Sequence, residues 1–196
     1  MVMTQRGSRL SAGDWADAAL DALARGGLAA VAVEPLAARL KTTKGSFYWH
    51  FRNRDALIEA ALLRWEERGT TEVIAGIETE PDPVVKLRRL FATVIGHGTT
   101  HRIELSLLAS AGHPAVGPVL RRISERRVDY VAQLFCEAGF PPGEARRRAV
   151  IGVSVYLGHT QLANTAPSAL PDGDEERLAL ITSTVDALLA GAPGPS

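Results

Sequence analysis

The densest run of chemistry-bearing side chains lies between Arg39 and Arg54. Five cations (Arg39, Lys41, Lys44, Arg52 and Arg54) stand there with no acid before Asp55. Within it, Lys44-Gly-Ser-Phe-Tyr-Trp-His50 places three aromatics and an imidazole in seven residues. That composition makes little sense as core. Phenolic hydroxyls, imidazoles and helix N-termini are good phosphate donors, and Gly45 and Ser46 let a backbone come close to a nucleic acid. The plainer reading, an aromatic mini-core under a loop, applies to part of the run: Phe51 and Phe47 are expected to pack against the first helix.

Other clusters offer less. His97 and His101 stand four apart, a spacing that can ligate zinc on a helix. Gly98 sits between them at an expected helix break, and no His-Glu-x-x-His pattern follows, so neither a metal nor a cofactor is expected. Cys136 is the single cysteine; it cannot make an internal disulfide and is expected to be a buried, inert thiol. Arg146-Arg-Arg148 reads as a solvated or acid-pairing edge. There is no Gly-rich phosphate loop, nucleophile elbow or paired-carboxylate arrangement. An enzyme is therefore not expected, and one built on the His97/His101 region is the least supported reading.

The elements that must position these residues are helical almost throughout, because apolar residues recur at three- and four-residue spacing and strand alternation is nowhere sustained. Ser11 and Asp14 form a capping pair for a first helix with Trp15, Ala18, Ala19, Ala22 and Leu23 on one face, stopped at Gly26-Gly27. A second helix spans about Val33 to Leu40. Thr42 or Thr43 caps a very short third, Lys44 to His50, and Asn53 caps a long fourth with Ile58, Ala61, Leu62 and Trp65 in one stripe. Asp82-Pro83 opens a fifth. The sixth runs from about Thr100 to Ala111, the seventh from Ala115 to Ala138, the eighth from Pro141-Pro142 to about Ala163, and the ninth carries Leu178, Ile181, Val185 and Leu189. The tail from Gly191 is expected to fray.

The eighth helix is apolar on two sides: Ala149, Gly152, Val153, Tyr156 and Thr160 line one, and Ile151, Val155, Gly158 and Leu162 the other. Such a helix is buried twice. In a chain of 196 residues the second surface fits a partner subunit, so a homodimer through the eighth and ninth helices is expected, with Gly152, Val155 and Val185 at the contact. The alternative is a central helix within one monomer.

Length and an apolar content of 46% suit a packed globular chain and exclude wholesale disorder. No apolar run reaches the roughly 18–20 residues of a bilayer span, and Met1 to Arg9 is polar with no apolar stretch after it, so neither membrane nor signal peptide is expected and the location should be cytoplasmic. The zero net charge hides a split. Residues 1–54 carry eight basic and four acidic side chains, whereas the rest carries 14 and 18. A basic head sits on an acidic body, which is an electrostatic arrangement competent for phosphate.

Leu36-Ala-Ala-Arg-Leu-Lys-Thr-Thr-Lys-Gly-Ser-Phe-Tyr-Trp-His-Phe-Arg-Asn-Arg-Asp-Ala-Leu57 resembles the signature of tetracycline-repressor-like (TetR family) transcriptional regulators. The resemblance covers about 45 residues, from Trp15 to Leu62. It implies an all-α chain of about nine helices, with a helix-turn-helix DNA-binding domain at 1–54 and a ligand-binding and dimerisation domain at 55–192. It further implies a homodimer on a palindromic double-stranded DNA operator, and release by a small-molecule effector. Position by position, Thr43 caps the recognition helix and bonds a phosphate. Lys44, Gly45 and Ser46 lie at bases or the adjoining backbone, with Phe47 and Trp49 in the same helix. Tyr48 and His50 contact phosphate, and Arg54 supplies charge.

Two positions depart from the family pattern. The turn usually has Gly where this chain has Lys41, and a small aliphatic at Thr42. Lys41 must then take a positive φ, at about 1 kcal/mol or more. An effector pocket is expected among the bulky amphipathic side chains of the fourth to eighth helices: Trp65, Phe91, His97, Tyr130, Phe135, Tyr156 and His159, about half of which should be ordinary core. That mix suits a mainly apolar ligand held by one or two polar contacts. A helical small-molecule-binding dimer with vestigial DNA contacts is the alternative.

Overall fold

A computed structural model describes residues 10–96 and 98–191, with backbone alone for 98–101. The readings made for Met1–Arg9, His97, the His101 side chain and the tail beyond Gly191 lie outside the described residues. Every regular element among the described residues is helical: α1 Ala12–Gly26, α2 Val33–Arg39, α3 Lys44–Tyr48, α4 Arg54–Glu66, α5 Glu72–Ile77, α6 Pro83–Gly96, α7 Gly98–Leu108, α8 Gly117–Glu137, α9 Pro142–Thr165 and α10 Asp174–Leu189. A π-helical turn, Glu67–Thr71, joins α4 to α5 without a break. Counted as one rod, these two give the nine helices expected, and α9 and α10 are the eighth and ninth of the sequence.

The helix starts follow from capping chemistry. The Ser11 hydroxyl accepts from the Asp14 N–H at 3.2 Å, and the Asp14 carboxylate accepts from the Ser11 N–H at 2.7 Å. Asn53 Oδ1 accepts from the Ala56 N–H at 2.9 Å, and Asp82 Oδ1 from the Val84 N–H at 2.8 Å. Each bond satisfies a donor that the first helical turn leaves orphaned. The sixth helix of the sequence stops at Leu108, earlier than its Gly112 stop signal suggests, and residues 109–116 form turns.

Two hydrophobic cores result. The first gathers α1 to α4 around Trp15, Leu23, Phe47 and Leu62, and extends to Leu107, Val116, Leu120 and Ile123 at the near ends of α7 and α8. The second joins α6, α8, α9 and α10 through Leu87, Phe91, Leu134, Ala149 and Val185. Each large side chain fully removed from water contributes about 1.5–3 kcal/mol. The rod α4–α5 begins in the first core and ends, at Ile77, in the second. One continuous rod thus contributes side chains to both cores.

Three expectations are corrected here. Cys136 is exposed rather than buried, because α8 presents Leu134 and Phe135 inward and turns the thiol outward. Gly152 and Val185 do not face a partner: Val185 is buried in the second core, and a Cβ on Gly152 would meet Phe91 Cζ at 2.9 Å. Both belong to the inner side of α9 and α10. Val155 stands on the other side, exposed with Ile151 and Leu162. Arg147 and Arg148 pair with Glu144 at 2.7 Å, the acid-pairing edge expected of that triplet. Among the described residues no helix is long and apolar enough to cross a membrane.

Candidate nucleic-acid interface and interior pocket

In the head, α2 and α3 meet across a tight turn. Lys41 has φ 52°, the one positive φ outside glycine among the described residues. Its Cβ occupies the conformation that glycine relieves in related turns, as the sequence requires. Thr43 has extended backbone and its hydroxyl accepts from the Ser46 N–H at 3.3 Å, fixing the start of α3. The far side of α3 is anchored by Phe47, fully buried, edge-on to Trp15 at 5.4 Å and stacked on Phe51 at 5.6 Å. Phe47 is thus removed from the set of DNA contacts: it aims the helix and cannot touch a duplex.

What Phe47 leaves outward is a concave patch of Thr43, Gly45, Ser46, Trp49 and His50, with Tyr48 beside it. Tyr48 is 57% exposed and Trp49 79%. Lys44 stands at the patch edge in an ion pair with Glu34 at 2.9 Å; the hydrogen bond from Lys44 holds the Glu34 carboxyl below its ordinary range and raises the lysine. Arg54, expected to supply charge to the DNA-binding set, is engaged within the head. Its Nε donates to the Val31 carbonyl at 2.6 Å and its Nη2 to the Leu28 carbonyl at 2.5 Å, so the guanidinium closes the loop between α1 and α2.

The rod is tied to the head by a fork. Arg64 donates to both carboxylate oxygens of Asp17, at 3.1 and 3.0 Å, and Arg68 adds a third bond at 3.0 Å. The Arg64 bond keeps the Asp17 carboxyl below its ordinary range.

Farther along the rod, a cavity of about 60 Å³ opens between α5, α6, α8, α9 and the π-turn. Of the residues expected there, Phe91, Tyr130 and Tyr156 line it. Trp65 and Phe135 do not: each is core, Trp65 in the first cluster and Phe135 edge-on to Phe140 at 5.8 Å in the second. His159 lies in a separate groove with Pro167 and Leu170.

Sequence reasoning missed the polar end of this cavity. Arg127 donates from Nη1 to Glu104 Oε1 at 2.6 Å, from Nε to the Thr70 hydroxyl at 3.1 Å, and weakly from Nη2 to the Gly69 carbonyl at 3.4 Å. Its guanidinium also lies over the rings of Trp65 and Tyr156, at 5.4 and 5.6 Å. Tyr156 donates its hydroxyl to the second oxygen of Glu104, and burial first, then the neighbouring carboxylate, pushes that phenol upward. At the other end Tyr130 donates to Glu78 at 2.7 Å, and Glu78 pairs with the buried Lys86 at 2.8 Å. A signal for Glu104 existed: it is the sole Asp, Glu, Lys or Arg between Arg102 and Arg121. A lone charge in so long an uncharged stretch is either solvated or answered inside.

The fold and the outward face of α3 define the class: a helix-turn-helix head on a helical body with an interior pocket. Residues 16–61 match the family described as bacterial regulatory proteins, tetR family. No curated protein matches. A transcriptional regulator from Rhodococcus sp. Rha1 has the same fold, with TM-score 0.81, 19% identity, and coverage of 95% of this chain and 100% of that one. AibR, in complex with isovaleryl coenzyme A and operator DNA, superposes with TM-score 0.68 at 15% identity over 90% of this chain and 96% of its own. FadR from Bacillus subtilis, in complex with stearoyl-CoA, does so with TM-score 0.69 at 14% identity over 92% and 99%.

Proposed function

We propose that the chain is a ligand-responsive transcriptional regulator, acting as a repressor. It binds a palindromic operator as a homodimer and is released by a small, mainly apolar molecule. Residues 1–54 serve as the DNA-binding domain and 55–192 as the ligand-binding and dimerisation domain, working in the cytoplasm without catalysis of their own. The observation that carries the reading is α3 itself. One side is locked by buried Phe47, and the other presents Tyr48 and Trp49, more than half exposed, around Thr43, Gly45, Ser46 and His50. Adjacent aromatics so exposed, at the end of α3 and on its C-cap, form a patch of the kind that marks an interaction surface. Tyr48 and His50 position the protein on phosphates, and Lys44 and Ser46 read base edges once Lys44 leaves Glu34.

The outer side of α9 supports the dimer: Val150, Ile151, Val155 and Leu162 are all at least 36% exposed on one helix. A two-fold pair presents two recognition helices, whose half-sites then lie about 34–36 Å apart or a multiple of that. The complexes of AibR with isovaleryl coenzyme A and of FadR with stearoyl-CoA support a ligand-binding role for this fold. The test is binding to the DNA upstream of the chain's own gene against a scrambled duplex, at several salt concentrations. A preference for the upstream duplex is expected. Equal affinities at every salt concentration refute the operator reading and leave a small-molecule-binding dimer.

A further inference from the structure

The cavity at the π-turn has a definite chemical polarity. Its walls are apolar, with Val73, Leu90, Phe91 and Val131 among them, and Arg127 is the one formally charged residue lining it among the described residues. Its counter-charge, Glu104, stands behind it and does not line the cavity. Three hydrogen bonds use three of the five guanidinium N–H groups, two N–H groups are not used by these bonds, and the residue itself lines the cavity. The Arg127–Glu104 pair is neutral as a whole. An incoming carboxylate would therefore be a buried charge with no answering one, which is costly. A neutral acceptor adds no charge and takes up the spare donors.

Size follows from the same space. On that measure one water needs about 10–15 Å³, so the cavity holds about four to six waters, which sets the ligand's scale at a short chain of fewer than about ten heavy atoms. Resting on the ligand-responsive reading above, we propose that the effector is a neutral, mainly apolar molecule of about that size carrying one carbonyl-type acceptor, and that Arg127 is the residue that selects it. Because Arg127 also holds Thr70 and Gly69, an acceptor that draws the guanidinium toward the cavity draws it away from the π-turn. Recognition and release are then coupled through one side chain.

The test uses three probes of matched length, 2-heptanone, hexanoate and heptane, titrated calorimetrically into the full chain. The ketone should bind about tenfold tighter than either of the others, the ratio expected of one hydrogen bond to a charged donor. In the Arg127→Met/Glu104→Gln variant, which removes the pair without stranding a charge, heptane affinity should stay within about threefold and the ketone's advantage should vanish. Circular dichroism confirms that the variant is folded. Tightest binding by hexanoate, or equal binding of ketone and alkane to the unaltered chain, overturns the ligand class while leaving a ligand-responsive regulator intact. Absence of binding by all three overturns the cavity as the site. Operator binding, measured separately, decides the DNA reading on its own.

Discussion

The Arg127–Glu104 pair allows a thermodynamic cycle whose size can be worked from its surroundings. Glu104 retains 4% of its side-chain exposure and Arg127 15%. Arg127→Met leaves a buried carboxylate held only by the Tyr156 hydroxyl, a loss of about 3–5 kcal/mol. Glu104→Gln is milder, because the amide oxygen still accepts and the more exposed cation keeps Thr70; about 1–3 kcal/mol is expected. Together the two changes strand no charge and forfeit mainly the stacking of the guanidinium on Trp65 and Tyr156, about 1–3 kcal/mol. The double variant should thus be more stable than the sum of the single losses by about 3–5 kcal/mol, at or above the top of the range usual for residues in contact. Urea unfolding followed by circular dichroism measures each corner, and an unchanged denaturant slope shows that the denatured state is the same. Single losses that add to within about 0.5 kcal/mol would refute the coupling of the pair. The same variants carry a functional readout. A ligand that weakens operator binding of the unaltered chain by about 5–150-fold should change that of Arg127→Met little, since that variant has already lost the bonds from Arg127 to the π-turn.

Four further outcomes are expected. Lys41→Gly should raise stability: relief of the left-handed strain, about 1–2 kcal/mol, outweighs the added chain entropy of glycine, about 0.5–1 kcal/mol, and thermal unfolding measures the difference. Tyr48→Phe should weaken operator and scrambled duplexes alike, whereas Ser46→Ala should shift preference at particular base pairs by about 1–3 kcal/mol in competition assays. Val155→Asp should yield monomers by light scattering at micromolar concentration, whereas Gly152→Ala should remain dimeric and instead press Phe91 into the cavity. The Glu66 carboxyl is held below its ordinary 4.5 by its hydrogen bond from Arg122. Its contribution is therefore complete above that value and lost as pH falls through the lower folded one. Glu66→Gln should flatten the fall of the melting temperature below about pH 4.5 and leave its slope near pH 7 unchanged.

The head was legible because its signals are local. Capping pairs at Ser11/Asp14 and Asn53, the strained turn at Lys41 and the odd composition of Lys44–His50 each depend on residues within one or two turns, so sequence spacing suffices. Phe47 and Arg54 show where locality fails. Both sit in the motif, yet which side of a five-residue helix a ring falls on, and whether a guanidinium finds carbonyls 23 and 26 residues earlier, are decided by packing against α1. The polar end of the cavity was illegible for the same reason. Glu104, Arg127, Thr70 and Tyr156 come from four separate elements, and no periodicity links them.

The two-sided helix α9 is the intermediate case, and it shows what pattern can and cannot decide. Its two apolar stripes were visible, and the structure separates them: Ala149, Gly152 and Tyr156 are buried within the chain, while Ile151, Val155 and Leu162 face outward. Periodicity assigns residues to stripes but does not say which stripe meets which neighbour. Gly152, expected at a partner, does allow a close approach, but the close neighbour is Phe91 of α6. The missing Cβ lets that ring lie against the backbone of α9 at the wall of the cavity, and any larger residue there takes volume from the ligand. One glycine thus sets pocket size, while the proposed dimer rests on the branched side chains about a quarter of a turn around the helix. The two roles proposed for α9 can therefore be tested independently.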